Sequence, residues 1–266
     1  MKKNITFIIQ GNLHKDGINN IPIYLKYGNV ILSCWESDNT DEIEKLYNIK
    51  IVKQNYPADK IKYSNKQNLF FQCLTSLNGL EACETEYAIK VRCDEYYTDF
   101  KYFIKTMLST PDNITTNNVF FRPDEVYKFH FSDHVMGGKT KMLFDMFLKV
   151  YESLLDLYQP YFAEIMLCRQ YLKNKGIEPI NAHSMRIMRE NVNLVDIGKM
   201  GKFKISFNSS RKYYTEKEID KFFLENKCIR SINEFISDPD NINVELNKPK
   251  LNFYPDRRIR DGGVHF

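Results

Sequence analysis

No stretch of the chain approaches the roughly 20 consecutive apolar residues of a membrane-spanning helix. The apolar run within the N-terminal MKKNITFIIQG is about five residues, short of the core of a signal peptide. These absences predict a soluble, cytoplasmic protein. Cys34, Cys73, Cys83, Cys93, Cys168 and Cys228 include no pair at CxxC spacing, which argues against a zinc site and reads as free thiols in a reduced compartment. An excess of one charge is also missing, since 38 basic and 34 acidic residues leave +4. That balance excludes the concentrated basic surface of a nucleic-acid binder. It suits a small anionic substrate or loose, peripheral contact with a membrane surface. The first loop, QGNLHKDG, holds two glycines, too few for the Gly-rich triphosphate loop of a sugar nucleotidyltransferase.

What is present is core material: 43% of the residues are hydrophobic and 14% aromatic, enough for a single α/β domain of 266 residues. Short apolar runs predict strands at 5–10, 29–35, 49–54 and 87–92. Between them, helices are expected at 18–27 (with Pro22 obscuring the start), 41–47 and 65–83, the last on the spacing of Leu69, Phe70, Cys73, Leu74, Leu77 and Leu80. Further helices are expected after Phe100, through Leu143–Leu154, and from Ala163 to a stop at Gly176. NVFFR (118–122) and VYKFHF (126–131) read as two strands able to pair, and EPINAHSMRIM (178–188) alternates like another. Thr215 and Glu218 read as the capping box of a late helix. Residues 1–235 are expected to form the domain, and 236–266, rich in Asn, Asp, Pro and Arg, a tail or flap packed on it.

Strands alternating with helices imply a mostly parallel sheet with helices on both faces. Ligands bind such sheets beyond the carboxyl ends of the strands. Those ends are Gln10-Gly11, Ser33 to Glu36, and Arg92 to Glu95. On the two-residue period of a strand, Lys90, Arg92 and Asp94 share a face. A guanidinium can fork onto a diphosphate, and a carboxylate can hold a divalent cation that bridges the phosphates. An Arg–Asp ion pair closing a strand is the plainer alternative.

The chain resembles the WavE-type lipopolysaccharide-synthesis glycosyltransferases, a group of GT-A fold. The matching pieces are IIQG (8–11), ILSCWE (31–36), QCLTSLNGLEA (72–82), IKVRCDEYYTD (89–99), FSDHVMGG (131–138) and YFAEIML (161–167). The resemblance implies a GT-A-like domain, a nucleotide-sugar donor and a glycan or glycolipid acceptor, as in surface-polysaccharide, lipopolysaccharide or glycoprotein-glycan synthesis. It places Gln10 and Gly11 at the nucleotide; Ser33, Trp35 and Gln72 are expected to line the same pocket because the first elements converge there, with the phosphates near Arg92 and Asp94. Asp94 stands for the metal-binding Asp of a DxD motif, which implies Mn2+ or Mg2+. The sequence departs from a full DxD, with Arg92 two positions before Asp94 and Tyr96 two after, which implies either weak metal affinity or assistance from Glu95 or Asp99.

An inverting transferase needs a carboxylate to take the acceptor's proton. Glu164 and Asp133 are the candidates; Glu164 doubles as a favourable first-turn charge, and Asp133 as a turn residue before Gly137-Gly138. His265 is a candidate metal ligand and His183 another; His130 and His134 flank Asp133 without compelling ligand geometry. Arg257, Arg258 and Arg260 could fold over the diphosphate or form a solvated tail. Two other readings stand beside transfer: a sugar nucleotidyltransferase, and a non-catalytic glycan-binding protein on a degenerate GT-A fold.

Overall fold

The computed structural model describes residues 4–57, 69–156, 162–207 and 212–237. The first strands form where apolar runs are unbroken. β1 (Ile5–Gln10) is buried at all six positions and β2 (Asn29–Trp35) at all but its first, as strands covered on both faces must be. β3 (Lys50–Gln54) lies beside β2 and β4 (Tyr87–Arg92) beside β1, all four parallel. β6 (Ile114–Asn117), β7 (Val135–Lys139) and β8 (Val192–Val195) complete a seven-stranded sheet of order β3-β2-β1-β4-β7-β6-β8. Only β7 runs against the rest. A second sheet joins β10 (Lys212–Thr215), β9 (Phe203–Phe207) and the short β5 (Tyr96–Tyr97). The expected α/β domain with a mostly parallel sheet is therefore present.

The connecting helices divide between the faces. α1 (Lys15–Tyr24) and α4 (Lys101–Ser109) cover one, where Phe7 stacks on Tyr24 at 4.9 Å and meets the edge of Phe100. α3 (Leu69–Glu81), α5 (Thr140–Asp156) and α6 (Ala163–Asn174) pack on the other around Phe70, Phe147 and Leu167. The short α2 (Asp41–Leu46) links β2 to β3. No described helix is long and apolar enough to cross a membrane.

The strand order reverses direction between β1 and β4, and a crevice opens at such a switch point. α1 is docked against that crevice by a glycine. The Gly17 amide donates to the Cys93 carbonyl at 2.8 Å, and a Cβ at Gly17 would lie 2.4 Å from that oxygen. Gly17→Ala must therefore push the helix off the turn that follows β4. A loss of about 1–3 kcal/mol is expected from such overpacking. A urea midpoint equal to that of the parent would contradict this account of the contact.

Several expectations need correction. α1 begins at Lys15, before the predicted 18, because His14 caps it through Nδ1 and Asp16 sits in its first turn; Pro22 falls inside the helix. Residues 118–122 and 126–131 do not form strands: Phe120 and Phe129 adopt positive φ (55° and 59°), which breaks an extended run. The strands lie just outside, at β6 and β7, and β7 contains Gly137-Gly138. A Cβ at Gly137 would reach within 2.7 Å of the Phe103 ring, so its absence lets α4 approach the sheet. The alternation at 178–188 also misleads, since the chain forms a 3-10 turn at Asn181–His183 and then α7 (Ser184–Asn191). Thr215 and Glu218 bond to each other, Glu218 accepting from the Thr215 amide at 3.1 Å, but they do not box the helix, because α8 (Ile219–Asn226) starts after Glu218, which is itself the N-cap. α9 (Ile232–Ser237) ends the described chain, so most of the expected tail lies outside the described residues.

Candidate functional site

Gln10 and Arg92 end β1 and β4, and Ser33 lies two residues before the end of β2 as the register partner of Gln10, so the three stand side by side near the carboxyl edge of the sheet. After Gln10 the chain leaves the sheet at Gly11, whose φ of 107° favours glycine. Helix α3 ties down two of these ends through one residue. Thr75 donates to Gln10 Oε1 at 2.7 Å, and Ser33 Oγ donates to the Thr75 carbonyl at 2.6 Å. Ser33 is fully buried, so it supports the edge from beneath. Trp35 is held by Asn12 through its indole N–H, and its ring meets the edges of Phe71 and Tyr56. Tyr56 stacks on Phe71 at 4.8 Å and remains 47% exposed, an aromatic surface at the β2 end that the sequence did not flag.

The end of β4 carries the charge. Arg92 donates from Nε and Nη2 to the two oxygens of Asp94, at 2.9 and 2.8 Å. Burial alone would raise the Asp94 carboxyl, but the guanidinium outweighs it and holds the group well below the usual range. Lys90, two positions earlier, is fully buried and donates to the Asp133 carbonyl. Burial pushes its ammonium down to about 8, against the pull of Asp133.

Across the crevice, the segment before β7 supplies Asp133 and His134. Gln72 donates to Asp133 at 2.7 Å. Burial would raise the Asp133 carboxyl, yet Lys90, His134 and Arg92 together lower it, so it is ionised at neutral pH. Glu164 is drawn in on the first turn of α6, its side chain 17% exposed. Its carboxyl moves the opposite way, to about 7, first because of burial and then because of the Asp133 charge. Two carboxyl groups in one cleft are thus driven apart in acidity, the pattern that separates a proton acceptor from a fixed charge.

Beneath Asp94 lies a second pair. Glu95 is fully buried and accepts from His134 Nδ1 at 2.6 Å, from the Tyr97 hydroxyl at 2.8 Å and from the Ser206 amide at 3.1 Å. Beside Glu164, His130 is buried and pushed down to about 3 by burial and by Arg122. Arg122 donates to His130 Nε2 at 3.2 Å, which leaves the ring proton on Nδ1. The guanidinium lies between the rings of Tyr127 and Phe120.

The fold therefore gathers Gln10, Gln72, Arg92, Asp94, Asp133 and Glu164 at one edge, with Gly11, Ser33 and Trp35 alongside. Thr75, Lys90, Glu95, His134 and Arg122 join them; of these the sequence had marked only Lys90 as a neighbour of Arg92, and Glu95 and His134 as weak metal candidates. His183 lies on the exposed 3-10 turn, and Asp99, just before α4, accepts from the Lys101 amide. His265, Arg257, Arg258 and Arg260 lie outside the described residues. For a divalent cation the set does not fit. Glu95 is engaged by His134, Asp94 by Arg92, and no group of three metal-ligating side chains converges among the described residues.

The family model for WavE lipopolysaccharide synthesis matches residues 5–175. No curated protein sequence matches the chain. Among solved structures, Staphylococcus aureus TarS aligns with 12% identity and a TM-score of 0.43, covering 74% of this chain and 35% of its own, so the chain spans about a third of that protein. The 4-diphosphocytidyl-2C-methyl-D-erythritol synthase of Anaerococcus prevotii shares 12% identity over 88% of this chain and 95% of its own, at 0.41. Mycobacterium tuberculosis glucosyl-3-phosphoglycerate synthase, solved with Mn2+, UDP and phosphoglyceric acid, shares 10% identity over 73% of this chain and 69% of its own, also at 0.41.

Proposed function

The chain belongs to the WavE lipopolysaccharide-synthesis family, and from that premise we propose that it is an inverting glycosyltransferase of GT-A type, moving a sugar from a nucleotide donor to a surface-glycan or glycolipid acceptor. The observation that carries the reading is the pairing, in one crevice, of a carboxyl raised to about 7 at Glu164 with a guanidinium at the strand end, Arg92, oriented by Asp94.

In the proposed reaction Glu164 accepts the proton of the acceptor hydroxyl as its oxygen bonds to the anomeric carbon. The bond from that carbon to the diphosphate breaks, and its electron pair leaves with the nucleotide. Arg92 faces the charge that grows on the departing diphosphate. Gln10 and Gly11 border the nucleotide, with Trp35 and the exposed ring of Tyr56 beside its base. Gln72 and Lys90 hold Asp133 so that its charge keeps Glu164 basic.

The test is a thermal-shift panel of nucleotide sugars, each with and without manganese. A ligand a hundredfold above its Kd stabilises by about 2.7 kcal/mol, which corresponds to roughly 5–10 °C in a chain of this size. One donor should produce such a shift. If every nucleotide sugar leaves the melting point unchanged, the donor site is misassigned and a glycan-binding role without catalysis takes precedence.

A further inference from the structure

Asp94 has little left to offer a cation. Arg92 donates to both of its oxygens, at 2.9 and 2.8 Å. Each oxygen of the carboxylate is thus already engaged. A divalent ion at the remaining lone pairs would lie against the guanidinium that already neutralises the group. Neither neighbouring acid relieves this. Glu95 is fully buried among His134, Tyr97 and Ser206, and Asp133 accepts from Gln72 beside Lys90.

What the strand end does supply is a guanidinium held in a fixed orientation, paired with Asp94 and 3.6 Å from Glu95. Lys90 and Arg92 project from the same face of β4, and Arg92 is the register partner of Gln10 across the switch point. Its side chain is 14% exposed and that of Asp94 31%, so the fork sits at the rim of the crevice, while Lys90 lies sealed beneath it. A guanidinium matches phosphate oxygens in geometry and stays charged at every working pH. The Asp94 fork fixes its plane before any ligand arrives, and a charge oriented in advance costs no rearrangement as the diphosphate departs.

We propose that Arg92, oriented by Asp94 and backed by Lys90, takes the place of the divalent cation, so that the chain binds its nucleoside diphosphate without metal. Asp94 is then a positioning residue for Arg92 and not a metal ligand. The proposal rests on the glycosyltransferase reading.

The experiment is calorimetric titration with UDP, GDP, dTDP, CDP and ADP, each in excess EDTA and in excess manganese chloride. At least one should bind, with affinities in the two buffers that agree within about twofold. A hydrogen-bonded charge lost from a phosphate weakens binding roughly tenfold to a hundredfold. Arg92→Gln should show that loss in both buffers, and Arg92→Lys, which keeps the charge but not the fork, a smaller one. Asp94→Asn should weaken binding severalfold and equally in both buffers, because it loosens Arg92 without removing a metal. Circular dichroism of each variant controls for folding. Binding seen only with manganese, or a manganese response of the wild type that Asp94→Asn abolishes, overturns the proposal and leaves the transferase reading standing. If no nucleoside diphosphate binds in either buffer, the transferase reading falls and takes this proposal with it.

Discussion

Replacing Glu164 with Gln should slow sugar transfer by about a hundredfold to ten-thousandfold, the range for a lost general base, while nucleotide binding stays within about twofold. The variant keeps the shape of the side chain and removes its capacity to take a proton. The wild-type protein should also show the base in its pH profile. Burial and the Asp133 charge raise the Glu164 carboxyl to about 7, so the group is protonated and inactive below that pH and ionised above it. The rate should therefore climb through about pH 7 and level off, and Glu164→Gln should lose that limb. Asp133→Asn provides the control. Removing the Asp133 charge lowers the Glu164 pKa, so the rising limb should move to lower pH and persist. Full transfer by Glu164→Gln together with none by Asp133→Asn would move the base to Asp133.

The largest effect on stability is expected at Glu95. The side chain is fully buried, yet it receives His134 Nδ1, the Tyr97 hydroxyl and the Ser206 amide, with Arg92 Nε at 3.6 Å. These partners come from β4, β5, β9 and the segment before β7, so one carboxylate joins the small sheet to the large one. Glu95→Leu fills similar space with no acceptor. It strands an imidazole, a hydroxyl and an amide in the interior, and breaking a buried charged pair from one side typically costs about 3–5 kcal/mol. Urea unfolding should register a loss of that size. A loss below about 1 kcal/mol would mean that water reaches His134 and Ser206 once the carboxylate is gone.

Strands β1, β2 and β4 were legible in the sequence because burial on both faces writes an unbroken apolar run. Helices α3, α5 and α6 were legible from apolar spacing. The segment 118–131 was not, because its aromatic residues fill the core from a loop: Phe121, Phe129 and Phe131 are fully buried outside any strand. Pattern reports burial there but not backbone conformation, and two left-handed residues decide the latter. At the site, Arg92 and Asp94 could be read from their place at a strand end. Their neighbours could not. Glu95 meets His134 across 39 residues of chain, Lys90 meets Asp133 across 43 and Gln72 meets Asp133 across 61. Such pairings depend on how strands are ordered in the sheet, which no local spacing records. The opposite shifts of Asp133 and Glu164 follow from the same long-range assembly, so the sequence could name both as candidates for the base but not the environment that separates them.

The central claim is that this crevice breaks the bond between a sugar and a nucleoside diphosphate. Water can serve as acceptor when the natural one is unknown, so release of nucleoside diphosphate from a panel of nucleotide sugars tests the claim directly. Wild-type protein should release the diphosphate from one donor, with a rate that rises through about pH 7, and both Glu164→Gln and Arg92→Gln should suppress the release. Release that is absent for every donor, or that survives both substitutions unchanged, would contradict the account.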